Sequence, residues 1–486
     1  MSSWAWAGSR LPQCQVDGWR RPQLQRAIGL LRRTKALNCD LGGQPVILSV
    51  QPGPWHVACR WAIWRSRGVI VPLFTKTPRN MVEHVARVTG AKIVVADHQG
   101  IRVEDSVDLL IDSTTEPPDY DKDDEDVTVD GSATAQLLFT SGTTGLPKAV
   151  DVTHDNIKAQ IGSLLSAWDI TSNDHILHCL PLHHIHGIVN AMECILWAGG
   201  RVSFAEFKAD AVWRAFCDRN LGVNVFMAVP TMYAKLIDAF DKMDETKQAQ
   251  CREACQRFRV MISGSAALPD TVLERWRSIT GHTLLERYGM TETGMVLSNP
   301  LHGQRLAGFV GKPLPSVEVC IKPDKASRQL DKNAVQCGEL LVRGPTVCKQ
   351  YFGNGDATAE AFDSDGWFRT GDIASVNSEE DYRIVGRASM DILKTAGYKV
   401  SALEVERELR VHPEITDCAV VGLPNTTYGD VIAAAVVTSL PVDIVRQWIA
   451  SRLPPYKLPR RIRILEELPR NPMGKVDKVL IQQLLS

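Results

Sequence analysis

The stretch from Thr140 to Lys148, TSGTTGLPK, combines four hydroxyl side chains, two glycines and one lysine in nine residues. It follows the apolar run AQLLF and precedes AVDVT, and both flanking runs are typical of strands. Glycines let backbone N–H groups approach an anion closely, and a lysine supplies positive charge. The stretch therefore predicts a phosphate-binding loop between two strands. A mobile surface loop rich in Ser and Gly is the alternative interpretation.

The spacing of this loop differs from that of the common P-loop. A P-loop has the pattern GxxxxGK followed by Ser or Thr. Here the glycines and the lysine follow the pattern GxxGxxK, and Ala149 comes next. If the loop binds phosphate, it belongs to another class of nucleotide-binding protein.

Short β-rich runs alternate with longer helical runs on both sides of the loop. The upstream strands PVILSV, VIVPLF and KIVVADH are separated by two helical runs, and the alternation continues downstream through NVFMAVP and RVMISG. This order predicts an α/β fold with mainly parallel sheets. The acidic segment 112–131 is poor in apolar residues and predicts a solvated loop, with an acidic docking patch as the alternative.

The pattern changes towards the C-terminus. After Val310 the strands become shorter and are separated by turn residues, which predicts a β-rich subdomain over about 311–386. From Asp391 a separate α+β unit of about 95 residues begins, a plausible size for an independent domain. We therefore predict a large domain over 1–386, a hinge over 387–390 and a small mobile domain over 391–486.

Composition excludes several classes of protein. The chain has 486 residues, with 44% hydrophobic residues, 23% charged residues and a formal net charge of −1. These values are ordinary for a globular protein, and nothing in the charge indicates nucleic acid as a partner. No apolar run approaches the ~20 residues that a membrane-spanning helix needs. The sequence is compatible with a monomer and with a homodimer.

Twelve cysteines occur without any CxxC pair, which indicates a reducing compartment. Cys251 and Cys255 lie one helical turn apart in the polar run KQAQCREACQRF. One interpretation is a redox or metal-binding pair. We favour incidental thiols that are exposed or half-buried.

The N-terminal region is strongly basic. Before Asp40 a single acidic residue, Asp17, is set against seven basic ones: Arg10, Arg20, Arg21, Arg26, Arg32, Arg33 and Lys35. This bias suits a mitochondrial presequence and therefore a matrix enzyme. The alternative is a basic first helix, PQLQRAIGLLRRTKAL, that belongs to the fold of a cytoplasmic protein.

Taken as a whole string, TSGTTGLPK resembles the phosphate-binding signature of the adenylate-forming superfamily, which includes acyl-CoA synthetases, luciferases and peptide-synthetase adenylation domains. Other stretches resemble that family in the expected order and cover nearly the whole chain. They are LPLHHIHG (180–187), SGSAAL (263–268), ERYGMTE (286–292), GWFRTGD (366–372), GRASMDILKTAGYKVSALEVE (386–406) and PRNPMGKVDK (469–478).

The resemblance implies an ATP site. Asp372 would accept hydrogen bonds from the ribose hydroxyls, and Arg387 would contact ribose and phosphate. Tyr288 would stack on adenine in a slot formed by the small residues Gly264, Ser265 and Ala266. The phosphates would be held by the loop residues Thr140, Ser141, Gly142, Thr143, Thr144, Gly145, Leu146, Pro147 and Lys148.

The resemblance also implies the catalytic residues. Lys475 would neutralise the carboxylate and the α-phosphate, together with Lys148. Glu292, after Thr291, would bind Mg²⁺, which prefers oxygen ligands beside phosphates. After adenylation the small domain would swing and present Gly397 and Lys399 to CoA.

The acid is indicated by Arg287, which immediately precedes YGMTE. A buried arginine in an acyl pocket lacks a partner unless the substrate brings a second anion, and a dicarboxylate does so. The alternative is an ion pair of Arg287 with Glu286 or with another residue of the protein. His184 matches the family position that borders the acyl pocket. A metal site formed by His178, His183, His184 and His186 is less favoured.

The stretches around Arg287 resemble malonyl-CoA synthetases, in particular the mitochondrial branch called acyl-CoA synthetase family member 3. This resemblance implies an acid–CoA ligase that uses malonate, methylmalonate or both, with ATP, Mg²⁺ and CoA. The alternatives are an adenylating ligase for another small carboxylic acid and a non-catalytic nucleotide-binding paralogue.

Three residues depart from the family pattern. Ala149 and Ala396 replace glycines, which would stiffen the loops in which they are expected to lie. Met390 replaces a polar hinge residue, and this change affects how readily the small domain would swing.

Overall fold

The computed structural model describes residues 14–32, 34, 36–37, 40–99, 101, 103–112, 129–140, 147–323, 327, 330–331, 333–395, 397–425, 429–470 and 476–486. Several predicted features lie outside these residues: the loop residues 141–146, Lys475, Ala396 and most of the acidic segment 112–131.

Strands and helices alternate through the first part of the chain. In chain order they are β1 (Gln15–Val16), β2 (Trp19–Arg20), α1 (Arg21–Leu31), β3 (Pro45–Ser49), α2 (Pro54–Arg65), β4 (Val69–Pro72), α3 (Arg79–Thr89), β5 (Ile93–Ala96), β6 (Val107–Leu110), β7 (Thr134–Thr140), β8 (Lys148–Thr153), α4 (His154–Trp168), β9 (His175–His178), a π-helix (His186–Glu193), α5 (Cys194–Trp197) and β10 (Arg201–Phe204).

The middle of the chain continues this alternation and then becomes rich in strands. Its elements are α6 (Ala209–Cys217), β11 (Val225–Ala228), α7 (Pro230–Asp241), α8 (Glu245–Cys255), β12 (Val260–Ser263), α9 (Asp270–Thr280), β13 (Leu285–Met290), β14 (Gly294–Ser298), β15 (Lys312–Pro313), β16 (Glu318–Pro323), β17 (Gln336–Arg343), β18 (Gln350–Tyr351), α10 (Gly355–Ala361), β19 (Phe368–Val376) and β20 (Tyr382–Arg387).

Two large sheets form the main body. One has seven strands in the order β18-β8-β7-β4-β3-β5-β6, and its pairs from β7 to β6 are parallel. The other has nine strands in the order β15-β14-β13-β12-β11-β9-β10-β1-β2, parallel from β13 to β1. One continuous hydrophobic core packs against both sheets. Strands β16, β17, β19 and β20 form a separate antiparallel sheet, which is the predicted β-rich subdomain.

The C-terminal unit has its own sheet and its own cores. Its elements are β21 (Ile392–Thr395), β22 (Tyr398–Ser401), α11 (Ala402–Arg410), β23 (Ile415–Asn425), β24 (Gly429–Thr438), α12 (Val442–Ala450), β25 (Arg461–Leu465) and α13 (Lys478–Leu485). Hydrophobic clusters lie on both faces of the five-stranded sheet. The predicted α/β class, with a β-rich subdomain and a smaller α+β C-terminal domain, is confirmed. The boundaries at 386 and 391 stay predictions.

The structure decides between the two interpretations of the basic N-terminal segment and corrects the prediction for two cysteines. The basic segment forms α1, which buries Leu24, Ile28 and Leu31 in the main core, so this helix belongs to the fold. The expectation that the thiols of Cys251 and Cys255 are exposed or half-buried is wrong. Both side chains are 3% exposed or less, because α8 turns this face towards the core.

In the described part of the chain, no helix combines the length and apolar content needed to cross a membrane.

Candidate active site

The predicted phosphate loop joins two adjacent antiparallel strands. Thr140 ends β7 and lies opposite Lys148, which begins β8, and the Thr140 hydroxyl lies 3.5 Å from the Lys148 carbonyl oxygen. This register holds the two ends of the loop together, as a tight anion-binding turn requires. Ala149 is buried within β8, opposite Phe139, so it lies in a strand and not, as the sequence interpretation expects, in the loop.

Lys148 connects the loop to the predicted magnesium ligand. Its Nζ atom lies 5.0 Å from the centre of the Tyr351 ring, and the Tyr351 hydroxyl donates to Glu292 Oε1 over 2.9 Å. The Glu292 carbonyl oxygen accepts a hydrogen bond of 2.7 Å from Cys348. Burial raises the pKa of Glu292, while the hydrogen bond from Tyr351 opposes this rise. The carboxylate therefore lies in a dry position beside the loop, where a cation would be bound strongly.

Three residues predicted to hold the nucleotide converge at Asp372, in the middle of β19. The Tyr288 hydroxyl donates to Asp372 Oδ2 over 2.6 Å, and Arg387 Nη1 donates to Asp372 Oδ1 over 3.0 Å. Burial raises the pKa of Asp372, and the Arg387 charge opposes the rise. Because a carboxylate has about four lone-pair sites, Asp372 can still accept the ribose hydroxyls.

Arg287 is buried without a partner. Its side chain is 3% exposed, its Nε and Nη2 atoms have no hydrogen-bond partner, and no carboxylate among the described residues pairs with it. Burial lowers the pKa of Arg287 to about 9. Glu286, its neighbour on β13, accepts from the Leu268 N–H at 3.2 Å instead. Neighbouring strand residues point to opposite faces, so the alternative pair between these two residues does not form.

The predicted adenine slot adjoins Arg287. A Cβ atom on Gly264 would overlap the Arg287 guanidinium, so only glycine allows this approach. Ser265 follows with φ +69° and its Oγ lies 3.1 Å from His186 Nδ1. Ala266 is exposed. In this turn, Gly264 therefore packs against Arg287, and Ser265 contacts the histidine segment through His186.

The histidine segment leads into the π-helix, a rare element that often marks functional sites. The rings of His183 and His184 lie with their centres 4.1 Å apart and are tilted by 50°, and the Nε2 atom of His178 lies 2.8 Å from the Gly187 carbonyl oxygen. Burial holds the pKa of His186 well below its usual range, and the Arg287 charge lowers it further. In the described ranges, no group of three or more His, Cys, Asp or Glu side chains is arranged to hold a metal.

The C-terminal unit meets the site through the predicted hinge. Asp391 accepts hydrogen bonds from the Arg387 N–H over 2.9 Å and from Lys478 Nζ over 2.6 Å. Gly397 has φ +82° and open space around its Cα, and Lys399 lies two residues further along β22. Met390 lies in the turn between Arg387 and Asp391.

Sequence interpretation missed Tyr351. This residue joins Lys148 to Glu292, although it lies 59 residues from Glu292 and in no stretch that resembles the family signatures. Its position depends on the pairing of β18 with β8, which no local pattern in the sequence indicates.

Comparison with known proteins identifies the family. The profile of the AMP-binding enzyme family matches residues 35–352, and that of the AMP-binding enzyme C-terminal domain matches residues 404–475. This chain belongs to the AMP-binding enzyme family. The resemblance to adenylate-forming enzymes is thereby confirmed.

Individual relatives are similar over most of the chain. The mitochondrial malonate–CoA ligase of Bos taurus is 42% identical, across 96% of this chain and 85% of that protein. The ATP-bound crystal structure of MatB from Rhodopseudomonas palustris has a TM-score of 0.83 at 27% identity, covering 97% and 96% of the two chains. A malonyl-CoA ligase in a product complex with methylmalonyl-CoA and AMP has a TM-score of 0.65 at 30% identity, covering 94% and 96%.

Proposed function

We propose that this protein is an AMP-forming acid–CoA ligase that converts malonate, methylmalonate or both, with ATP and CoA, into the acyl-CoA, AMP and pyrophosphate. The observation that carries the choice of acid is Arg287, a buried cation beside Gly264 that has no partner among the described residues. An unpaired buried charge is costly, and the distal carboxylate of a small dicarboxylate would neutralise it through a bidentate contact. His184 would border the same acyl pocket.

The nucleotide would lie between the loop and the Tyr288–Asp372–Arg387 cluster. Thr140, Pro147, Lys148 and the loop residues between them would hold its phosphates. Asp372 would accept from the ribose, and Tyr288 would stack on adenine above Gly264, Ser265 and Ala266. The hydrogen bonds from Tyr288 and Arg387 to Asp372 support this role because they fix the carboxylate before a nucleotide arrives.

The residues present fit a magnesium ion. Glu292 offers a buried carboxylate beside Lys148, with Thr291 next to it, and Mg²⁺ is commonly held by one or two carboxylates plus nucleotide phosphates. When bound, the ion would neutralise charge on the phosphates. Tyr351 would keep the Glu292 carboxylate oriented.

The reaction follows from charge neutralisation and displacement. A carboxylate oxygen of the acid attacks the α-phosphorus of ATP, a new P–O bond forms and pyrophosphate leaves. Lys475 would reduce the repulsion between the two anions during this step. The CoA thiolate then attacks the acyl carbon of the adenylate and AMP leaves. Gly397, where the open space admits a close approach, and Lys399 would line the path of CoA.

We further propose a mitochondrial location, in the matrix, with the cytoplasm as the alternative. The support is the mitochondrial name of the Bos taurus relative. Malonate and methylmalonate differ by one methyl group, which is worth only about 1–3 kcal/mol of discrimination. Both acids are therefore included in the proposal.

The test is CoA-dependent pyrophosphate release from ATP and Mg²⁺, with acetate, malonate, methylmalonate, succinate and coumarate compared. We expect turnover with malonate or methylmalonate and little with the monocarboxylates. Turnover with acetate or coumarate alone would overturn the dicarboxylate assignment and leave an acid–CoA ligase for another acid. Absence of turnover with every acid, with ATP still bound, would favour a nucleotide-binding paralogue.

A further inference from the structure

A buried glutamine lies behind the turn that carries Thr291 and Glu292. Gln160 is in the middle of α4 and is 2% exposed. Its Oε1 atom accepts a 2.7 Å hydrogen bond from the Met295 N–H. A Cβ atom on Gly294 would overlap this oxygen, and Gly294 has φ +66°. The turn therefore approaches Gln160 so closely that only glycine fits at its end.

Helix α4 also binds the segment 345–348, which in turn contacts the backbone of Glu292. Asn156, one helical turn before Gln160, donates from Nδ2 to the carbonyl oxygens of Pro345 and Val347 over 2.8 and 2.9 Å. The next residue, Cys348, donates its N–H to the Glu292 carbonyl oxygen. Because α4 starts directly after β8, one rigid helix connects the end of the phosphate-loop hairpin to both segments around Glu292.

Burial of the polar Gln160 side chain among apolar neighbours costs free energy of folding, which indicates a specific role for this residue. The neighbouring α4 side chains Ile157, Ile161 and Leu164 are fully apolar and at most 2% exposed. Within the part of the chain that the structure describes, the buried Gln160 Nε2 atom has no hydrogen-bond partner, and neither has the hydroxyl of Thr346. Both residues line a small cavity together with Thr291, and two buried donors there suit one bound water molecule. A leucine at position 160 would fill the same space in the core without leaving a buried donor unpaired.

We propose that Gln160 is a positioning residue for Glu292, holding the turn 291–295 so that the Glu292 carboxylate faces the nucleotide phosphates and their magnesium ion. This inference rests on the proposed function, because it assigns Glu292 to magnesium. Gln160 does not contact the substrate. Its effect passes through the Met295 N–H and the Gly294 backbone.

The test compares Gln160→Met, which keeps length and loses the acceptor, with Ser163→Ala. Ser163 is one turn further along α4, is 4% exposed and donates to the Pro315 carbonyl oxygen over 2.8 Å. This control therefore loses a buried hydrogen bond of the same helix without touching the turn. The readouts are the melting temperature and the Mg²⁺ concentration that half-saturates binding of a non-hydrolysable ATP analogue, measured by calorimetry.

We expect Gln160→Met to raise the half-saturating Mg²⁺ concentration about tenfold, and Ser163→Ala to leave it within about twofold of wild type. Equal Mg²⁺ dependence in wild type and Gln160→Met, with a lower melting temperature in the variant, would reduce Gln160 to a structural role and overturn the inference. If Gln160→Met does not fold, Gln160→Leu removes the same acceptor and gives the same comparison. Nucleotide binding by wild type that is independent of Mg²⁺ would instead refute the Glu292 assignment itself.

Discussion

Replacement of Arg287 by methionine should abolish selection of the dicarboxylate and also stabilise the protein without substrate. Arg287 is 3% exposed with two unpartnered nitrogens, so the free protein holds a desolvated charge. A methionine of similar length removes that charge. Relief of unpaired buried donors is worth about 1–3 kcal/mol, and the melting temperature should rise accordingly. Loss of a desolvated charge-assisted contact costs about 3 kcal/mol, or ~150-fold in kcat/KM for malonate.

The assay combines kinetics with thermal unfolding. Wild type and Arg287→Met are compared for pyrophosphate release with malonate, and for the melting temperature with and without malonate in the presence of an ATP analogue. Malonate should stabilise wild type and leave the variant unchanged, since ligand binding stabilises only the state that binds it. Arg287→Lys should lie between the two, because one ammonium cannot reproduce the planar bidentate contact.

Arg259 supplies the matched control. Its Nε and Nη2 atoms each lie 2.9 Å from an oxygen of the buried Asp174 carboxylate, and Nη1 donates to the Trp168 carbonyl oxygen over 2.7 Å. Arg259→Met should lower the melting temperature, because it leaves the buried Asp174 carboxylate without its cationic partner. The reasoning is refuted if Arg287→Met destabilises the free protein as Arg259→Met does, or if its kcat/KM for malonate stays within about threefold of wild type.

Three further predictions concern other parts of the site. Tyr288→Phe removes the hydrogen bond to Asp372 and should raise KM for ATP about five- to tenfold, while KM for malonate in steady-state assays changes little. Lys475→Ala should slow pyrophosphate release by about 10²–10³-fold yet retain thioester formation from supplied malonyl-adenylate; equal loss in both half-reactions would contradict its assignment to adenylation. Burial raises the pKa of Glu286 to about 7, so this carboxyl is protonated in the folded protein at pH values where the unfolded chain is already ionised. Its destabilising effect therefore grows between about pH 4.5 and 7, and Glu286→Gln should stabilise the protein at pH 8 but hardly at pH 4.5, as denaturant titrations at both pH values would show.

The side chains of the candidate site differ in how far local sequence could locate them. The string TSGTTGLPK correctly indicated a loop between two strands, because apolar runs around a Gly-rich turn favour that arrangement. Arg287 could be singled out because its charge precedes a known signature. Nothing local could show that it is unpaired, since that depends on which residues from distant elements face β13. The burial of Cys251 could not be predicted for the same reason, because its neighbours in the sequence are polar although its side chain is buried.

The sequence by itself determined the family and the α/β class, and it predicted which residues carry charge in the reaction. These are encoded in short strings, because turn geometry and phosphate binding depend on neighbouring residues. Only the tertiary structure decided which residues form hydrogen bonds with one another. These pairs are Tyr351 with Glu292, Tyr288 and Arg387 with Asp372, and Gln160 with Met295. Such contacts join residues up to 135 positions apart and are fixed by sheet order and helix packing. Burial follows from the same packing, and the buried guanidinium of Arg287 is the basis of the proposed dicarboxylate substrate.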